Sequence, residues 1–168
     1  IIGFGNVGKR VAELSNALGM DVFIYSSYFN LVKENYKNYN SIDLSYIIKN
    51  SDIISFHCKP NKDGSSIITM NEINMMRKNC ILINTARGNL INETDLKTAM
   101  ENELIQGAAL DVFNNEPATK SELFNLKNII LTPHIAASTN EAQIVVAEMI
   151  ANQFSDYFNK NKIVNSII

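Results

Sequence analysis

Apolar residues alternate between two spacings along the chain. Continuous runs at Ile1-Ile2-Gly3-Phe4, Asp21-Val22-Phe23-Ile24-Tyr25, Ile53-Ile54-Ser55-Phe56-His57, Cys80-Ile81-Leu82-Ile83-Asn84, Gly107-Ala108-Ala109-Leu110-Asp111 and Ile129-Ile130-Leu131 read as short buried strands. Between them apolar residues recur three or four apart. Val7, Val11, Leu14 and Leu18 form one helical face that Gly19 ends, and Asp43 caps a short helix carrying Leu44, Ile47 and Ile48 to about Asn50. Further helices are expected from Thr69 to Met76, from Asn92 or Thr94 to about Glu103, and from Ser138 to about Asn159. The last places Val146, Ile150, Phe154 and Phe158 at fourfold spacing. Asn30 to Asn40 reads as a polar, partly helical connection, and Pro60 to Ser66 and Thr85 to Leu90 as loops; a third loop carrying Pro117 leads to Leu123-Phe124. Continuously apolar strands alternating with helices predict an α/β fold, a doubly wound parallel sheet covered on both faces, as one domain over residues 1–168. A first parallel strand needs about five residues. This chain opens directly on Ile1-Ile2-Gly3-Phe4 with no Met, so it reads as a piece of a longer protein cut inside that strand.

Composition narrows the chemistry. A net charge of −2 gives no field favouring nucleic acid or an anionic membrane, and no apolar run approaches the length of a membrane span. Neither partner is expected. Cys58 and Cys80 lie far apart in apolar runs and read as reduced, buried thiols, which suits a cytoplasmic protein. With two histidines and no C-x-x-C pair, no metal site is expected.

Gly3-Phe4-Gly5-Asn6-Val7-Gly8 is a G-x-G-x-x-G run between a strand and a helix, the pattern of a dinucleotide-binding turn. The first glycine permits the turn, the second lets backbone approach a pyrophosphate, and the third lets helix pack on sheet. Parallel sheets bind ligands at the carboxyl ends of their strands. Polar residues gather there: Ser26 after the second strand, His57 after the third, and Thr85-Ala86-Arg87-Gly88 after the fourth. Asp111 and Glu116 follow the fifth, and Thr132-Pro133-His134 the sixth. Arg87 is either a surface arginine in a turn or a bidentate clamp for a carboxylate. His134, entered through rigid Pro133, is a structural histidine or a proton donor and acceptor. Glu116 is a solvated loop residue or the partner that fixes the His134 tautomer. Asp111 caps a turn or accepts from a ligand amide.

These stretches resemble the nucleotide-binding domain of the D-isomer-specific 2-hydroxyacid dehydrogenases. The likeness runs through Ile1–Gly8, Ser51–His57, Leu82–Gly88, Ala109–Phe113, Glu116-Pro117 and Leu131–Ile135, in the family's order and spacing over nearly the whole chain. The resemblance implies a Rossmann fold. It implies that Arg87 binds the substrate's carboxylate and keto oxygen, that His134 exchanges a proton with that oxygen, and that Glu116 is its carboxylate partner. Gly3, Gly5, Asn6, Val7 and Gly8 are implied to hold the pyrophosphate, with Ser26, His57, Thr85, Ala86, Arg87, Asp111 and His134 as the remaining cofactor contacts. It also implies NAD as cofactor, a small 2-hydroxy or 2-keto acid as substrate, and a homodimer or homotetramer. Within the family, Ile135–Gln143 and the tail Val164-Asn165-Ser166 are most similar to the 3-phosphoglycerate dehydrogenases, which implies oxidation of 3-phospho-D-glycerate to 3-phosphohydroxypyruvate in serine biosynthesis.

Two departures stand out. Where the family's NAD enzymes carry an acidic residue after the second strand, this chain has Ser26, followed by Ser27 and Tyr28. Loss of the carboxylate removes a repulsion against a 2′-phosphate and admits NADP, although no arginine stands near and Lys33 is the closest cation in sequence. After His57 the chain reads Cys58-Lys59-Pro60-Asn61, where the family more often has proline at Lys59. The family's smaller substrate domain is expected outside this chain, with residues from about 160 to 168 leading back to it. The piece alone is expected to be inactive, and the far face of its last helix to be exposed and apolar. A glyoxylate/hydroxypyruvate reductase or D-lactate dehydrogenase is the alternative within the family. A non-catalytic NAD-sensing corepressor is the alternative of another class, and the joint presence of Arg87, Glu116 and His134 argues against it.

Overall fold

In the computed structural model, residues 1–32, 34, 36 and 38–164 are described, Asn30 by its backbone only. Lys33 and the tail residues Asn165 and Ser166 lie outside them. The described residues form two compact units, Ile1–Pro133 and the segment from His134 onward.

The first unit is built on a parallel sheet. Strands β1 (Phe23–Ile24), β2 (Asn40–Ser41), β3 (Ile53–Phe56), β4 (Ile81–Asn84), β5 (Gly107–Leu110) and β6 (Ile129–Leu131) pair in the orders β1-β2 and β3-β4-β5-β6. Ile2 joins the two groups through parallel bridges to Tyr25 on one side and Phe56 on the other. The first segment is therefore central, and the order in space is β2, β1, Ile2, β3, β4, β5, β6. Connections run outward one way from Ile2, then return past it and run the other way.

Helices α1 (Asn6–Ala17), α2 (Ser27–Val32), α3 (Leu44–Asn50), α4 (Met70–Ile73) and α5 (Glu93–Glu101) make the crossovers. Right-handed crossovers put α1 and α2 on one face and α3 to α5 on the other. The core divides the same way. Phe4, Ala12, Ile24 and Phe29 form one buried cluster; Ile47, Ile48, Ile73, Leu96 and Ala99 join Ile54, Phe56 and Leu82 in another. Local signals set the helix starts: Thr69 and Glu72 form a capping box at α4, and the Asn92 side chain accepts from the Asp95 N–H at α5.

Two expectations need correction. The face of α1 that packs is not the one with large apolar residues: Val7, Leu14 and Leu18 are exposed, whereas Gly8 and Ala12 are buried. A Cβ on Gly8 would lie 2.3 Å from the Gly3 carbonyl oxygen. The helix approaches the first strand so closely that only small side chains fit beneath it. The polar stretch from Asn30 to Asn40 also ends in strand β2, whose two exposed residues carry no apolar signal. Pairing with β1, continued by the Ile42 N–H donating to the Ile24 carbonyl, makes it a strand.

The second unit consists mainly of α6 (Asn140–Lys160), capped by the Thr139 hydroxyl accepting from Ala142 N–H. Val146, Ile150, Phe154 and Phe158 are all exposed along it, as are Ile144, Val145 and Met149.

Candidate functional site

Parallel register sets the edge of the sheet. Phe56 aligns with Asn84, Asn84 with Leu110, and Leu110 with Leu131. The residues just beyond, His57, Thr85, Asp111 and Thr132, therefore leave the sheet along one carboxyl edge. The reversal of strand order at Ile2 places the switch point of the sheet beside the glycine turn, where open α/β sheets bind ligands.

Each glycine of the turn has its own reason. Gly3 has φ +98°, and a Cβ there would meet the His57 carbonyl oxygen at 2.3 Å. Gly8 is held by the close approach described above. Gly5, extended at φ −77°, would carry its Cβ into open space with nothing within 4 Å. The fold does not require glycine there, and the open space leaves the backbone accessible to a ligand. Gly5 also caps α1 without a side chain, so the N–H groups of Asn6, Val7 and Gly8 have no capping acceptor and face the edge with the positive end of the helix dipole. These features fit a pyrophosphate.

A cleft of about 390 Å³ opens next to the turn, with Gly3, Ser26, Ser27, Asp43, Cys58 and Lys59 in its wall. A larger one of about 560 Å³, lined by Asp21, Asp52 and Arg77 among others, lies at the amino ends of β1 and β3 and holds none of the candidate residues. Its size does not outweigh its position, because the freed backbone donors point to the other edge. His57 is partly buried beneath the turn. Its backbone N–H donates to the Ile2 carbonyl at 2.7 Å, and its Nε2 is paired with the Ser55 hydroxyl at 2.9 Å. Burial pushes its pKa down to about 4, so it is neutral near pH 7. Burial raises both thiols: Cys80 is buried and reaches about 11, while Cys58, expected to be buried, is only partly so. Neither forms a disulfide.

Arg87 stands on a braced loop. Buried Asn84 donates from Nδ2 to the Arg87 carbonyl at 2.8 Å and accepts from Ala86 N–H at 3.0 Å, closing the loop from inside. Gly88 lies against the chain after β5; a Cβ there would sit 2.0 Å from the Phe113 carbonyl carbon. Arg87 itself is exposed. Its guanidinium donates to the Ala86 carbonyl at 2.6 Å and forms no ion pair among the described residues.

Asp111 is buried at the edge and accepts from the Thr132 hydroxyl at 2.6 Å, while its N–H donates to the Asn84 carbonyl. Exposed Glu116 accepts from Phe113 N–H at 2.9 Å, which folds its loop back on the end of β5. His134 opens the second unit, two residues beyond Thr132, at φ 54°, a left-handed conformation uncommon outside glycine.

Asn84 and Gly88 fix the Arg87 loop, and Thr132 donates to Asp111, contacts that the sequence reading did not assign to them. The available signal for Asn84 was a polar residue closing an apolar strand three positions before an arginine. Among the described residues, no helix is long and apolar enough to cross a membrane, and no cluster of His, Cys, Asp or Glu is placed to hold a metal ion.

Residues 1–136 match the family model of the D-isomer specific 2-hydroxyacid dehydrogenase, NAD binding domain. Over 151 residues, 90% of this chain and 46% of the relative, the sequence is 38% identical to a glyoxylate reductase of Thermococcus litoralis. It is 35% identical to a D-3-phosphoglycerate dehydrogenase of Synechocystis sp. over 156 residues, 93% of this chain and 28% of the relative. Among solved structures, an acyclic imino acid reductase in complex with NADPH and D-Arg superposes with a TM-score of 0.87 at 34% identity, covering 99% of this chain and 52% of that one. The chain thus spans about half, or less, of the length of the proteins it matches.

Proposed function

Because this chain belongs to the D-isomer-specific 2-hydroxyacid dehydrogenases, through the NAD-binding domain of that family, we propose that it forms the cofactor-binding half of an enzyme oxidising 3-phospho-D-glycerate to 3-phosphohydroxypyruvate, a step of serine biosynthesis. The observation that carries a 2-hydroxyacid substrate is Arg87, an exposed guanidinium on a loop pinned by Asn84 and Gly88 at the carboxyl edge. The likeness to the Synechocystis enzyme supports 3-phosphoglycerate. The 38% identity to a glyoxylate reductase supports the second reading, reduction of glyoxylate.

Gly3, Gly5, Asn6, Val7 and Gly8 hold the pyrophosphate through backbone N–H groups. Ser26 and His57 border the adenosine, and Thr85, Ala86 and Asp111 the nicotinamide side. Bound NAD supplies the acceptor for the substrate's C2 hydrogen. Arg87 binds the substrate carboxylate bidentately, which orients C2. His134 takes the proton of the C2 hydroxyl as the carbonyl forms, and Glu116 holds the resulting imidazolium. The substrate domain lies outside residues 1–168, and the enzyme is a cytoplasmic homodimer or homotetramer.

The test uses the protein that carries this chain, with 3-phosphoglycerate and NAD in one assay and glyoxylate and NADH in another. Arg87→Gln is expected to lower kcat/KM for the acid by about a hundredfold, the worth of a charged hydrogen-bonded pair. His134→Ala is expected to lower kcat by about 10²–10⁴-fold while NADH still binds. Turnover of glyoxylate alone moves the substrate to the second reading. Tight nucleotide binding without turnover of any 2-hydroxy or 2-keto acid refutes the proposal in favour of a nucleotide sensor.

A further inference from the structure

We propose that the cleft beside Ser26 accepts a 2′-phosphorylated ribose, so that the site takes NADP(H) as well as NAD(H), with Lys59 meeting the phosphate. The inference rests on the cofactor role proposed above and goes further, to which cofactor is bound.

The end of β1 is the place where an acidic residue selects a free ribose diol and repels a phosphate. Here Tyr25 is followed by Ser26, half-buried, and Ser27, exposed. Both line the cleft that begins at Gly3, the first glycine of the turn. Their hydroxyls form no hydrogen bond among the described residues, so two small donors face the cleft where a carboxylate would stand in an NAD-selective site.

The same cleft supplies a cation. Lys59 follows β3 by way of His57 and Cys58 and lines the same cleft, exposed and without an ion pair among the described residues. Sequence distance pointed elsewhere, to Lys33. The parallel sheet brings Lys59 to the same cleft as Ser26 although 33 positions separate them (59 − 26), because Ile2 pairs with both Tyr25 and Phe56. An ammonium meets phosphate as a point charge and needs no fixed fork, so the absence of an arginine does not decide the matter. Of the two cations that directly follow the turn, Arg10 pairs with Glu13 at 2.9 Å and Lys9 is engaged with aromatic rings. Its Nζ sits 5.1 Å from the Tyr28 ring centroid, 5.3 Å from Tyr36 and 5.9 Å from Phe4.

Asp43 also lines the cleft, and its side chain does not cap α3. One carboxylate and one ammonium therefore line the cleft. A ribose diol finds an acceptor in Asp43 and a phosphate finds a cation in Lys59. This argues for use of both cofactors rather than for NADP alone. That a structurally similar protein holds NADPH agrees with it.

Equilibrium titrations of NADH and NADPH, followed by nicotinamide fluorescence on the protein that carries this chain, test the inference. NADPH is expected to bind within about tenfold of NADH. Lys59→Gln should shift the NADPH-to-NADH affinity ratio about fivefold towards NADH, and Ser26→Asp at least about tenfold in the same direction. The NADPH affinity should also fall more steeply with added salt than the NADH affinity. A parent that binds NADPH a hundredfold or more weaker than NADH overturns the inference, as does a Lys59→Gln variant whose ratio is unchanged. Failure of the functional proposal has a different signature: both nucleotides bind, with the expected ratios, and no 2-hydroxy acid is turned over. If neither nucleotide binds, both fall.

Discussion

Alanine at Gly5 and alanine at Gly8 separate what the fold requires from what the cofactor requires, within one turn. At Gly5 the φ of −77° suits any residue, and the new Cβ has nothing within 4 Å. Replacing glycine at a compatible position stabilises by roughly 0.4–1 kcal/mol through the unfolded chain. Alanine is, however, a poorer N-cap than glycine by about 0.5 kcal/mol. The two effects nearly cancel, so Gly5→Ala should unfold within about 0.5 kcal/mol of the parent. At Gly8 the Cβ would lie 2.3 Å from the Gly3 carbonyl oxygen and 3.3 Å from the His57 Cβ, where ordinary contact begins at 3.4 Å. Helix α1 must withdraw by about 1 Å, and overpacking of this kind costs about 1–3 kcal/mol. Both variants should lose nucleotide. Gly5→Ala puts a methyl where the pyrophosphate approaches the first N–H groups, a loss of at least about tenfold in affinity. Gly8→Ala draws those groups away from the edge. Urea unfolding without nucleotide, paired with NADH titration, reads both quantities. If Gly5→Ala binds NADH as the parent does, the pyrophosphate does not lie against Gly5 and the placement of the cofactor is wrong. If Gly8→Ala is as stable as the parent, the close approach of α1 to the first strand is wrong.

Two further outcomes follow from buried polar groups. Asn84→Ala removes both hydrogen bonds that close the Thr85–Gly88 loop and leaves a small cavity, so it should destabilise by about 2–3 kcal/mol; urea unfolding measures that cost, and unchanged stability would show that the brace is ornamental. The same variant should raise KM for the acid substrate more than it weakens NADH binding, because the loop carries Arg87. His57 links stability to pH. Its folded pKa of about 4 lies below the ordinary 6.5, so between these values the unfolded chain takes up a proton that the folded chain refuses. The contribution is complete above pH 6.5 and is lost as pH falls from 6.5 to 4. Discounted for partial exposure, it amounts to about 1–2 kcal/mol. Unfolding curves from pH 7.5 to 4.5 should show this loss in the parent and not in His57→Gln, and parallel pH profiles would refute it.

Much of this protein is legible without coordinates, because the signals are local. Strand and helix periods, the stereochemistry of the glycine turn and the polar residues closing each apolar run are properties of neighbouring residues. Together they lead to the doubly wound sheet and to Arg87, Asp111 and Glu116 along its carboxyl edge. Contacts between segments far apart in sequence have no such signal. Periodicity assigned the inner face of α1 to Val7, Leu14 and Leu18, yet close approach of two backbones gave it to Gly8 and Ala12. Asn40 and Ser41 have no strand pattern of their own and are held by β1. Asn84 closes a loop by bonding backbone atoms that only a particular chain path returns to it. Lys59 and Asp43 line one cleft with Ser26 because the strand order reverses at Ile2. Local sequence determines which elements form and where their chemistry begins. Packing decides which side chains meet, since the spacing between elements is set by backbone approach and sheet order rather than by distance along the chain.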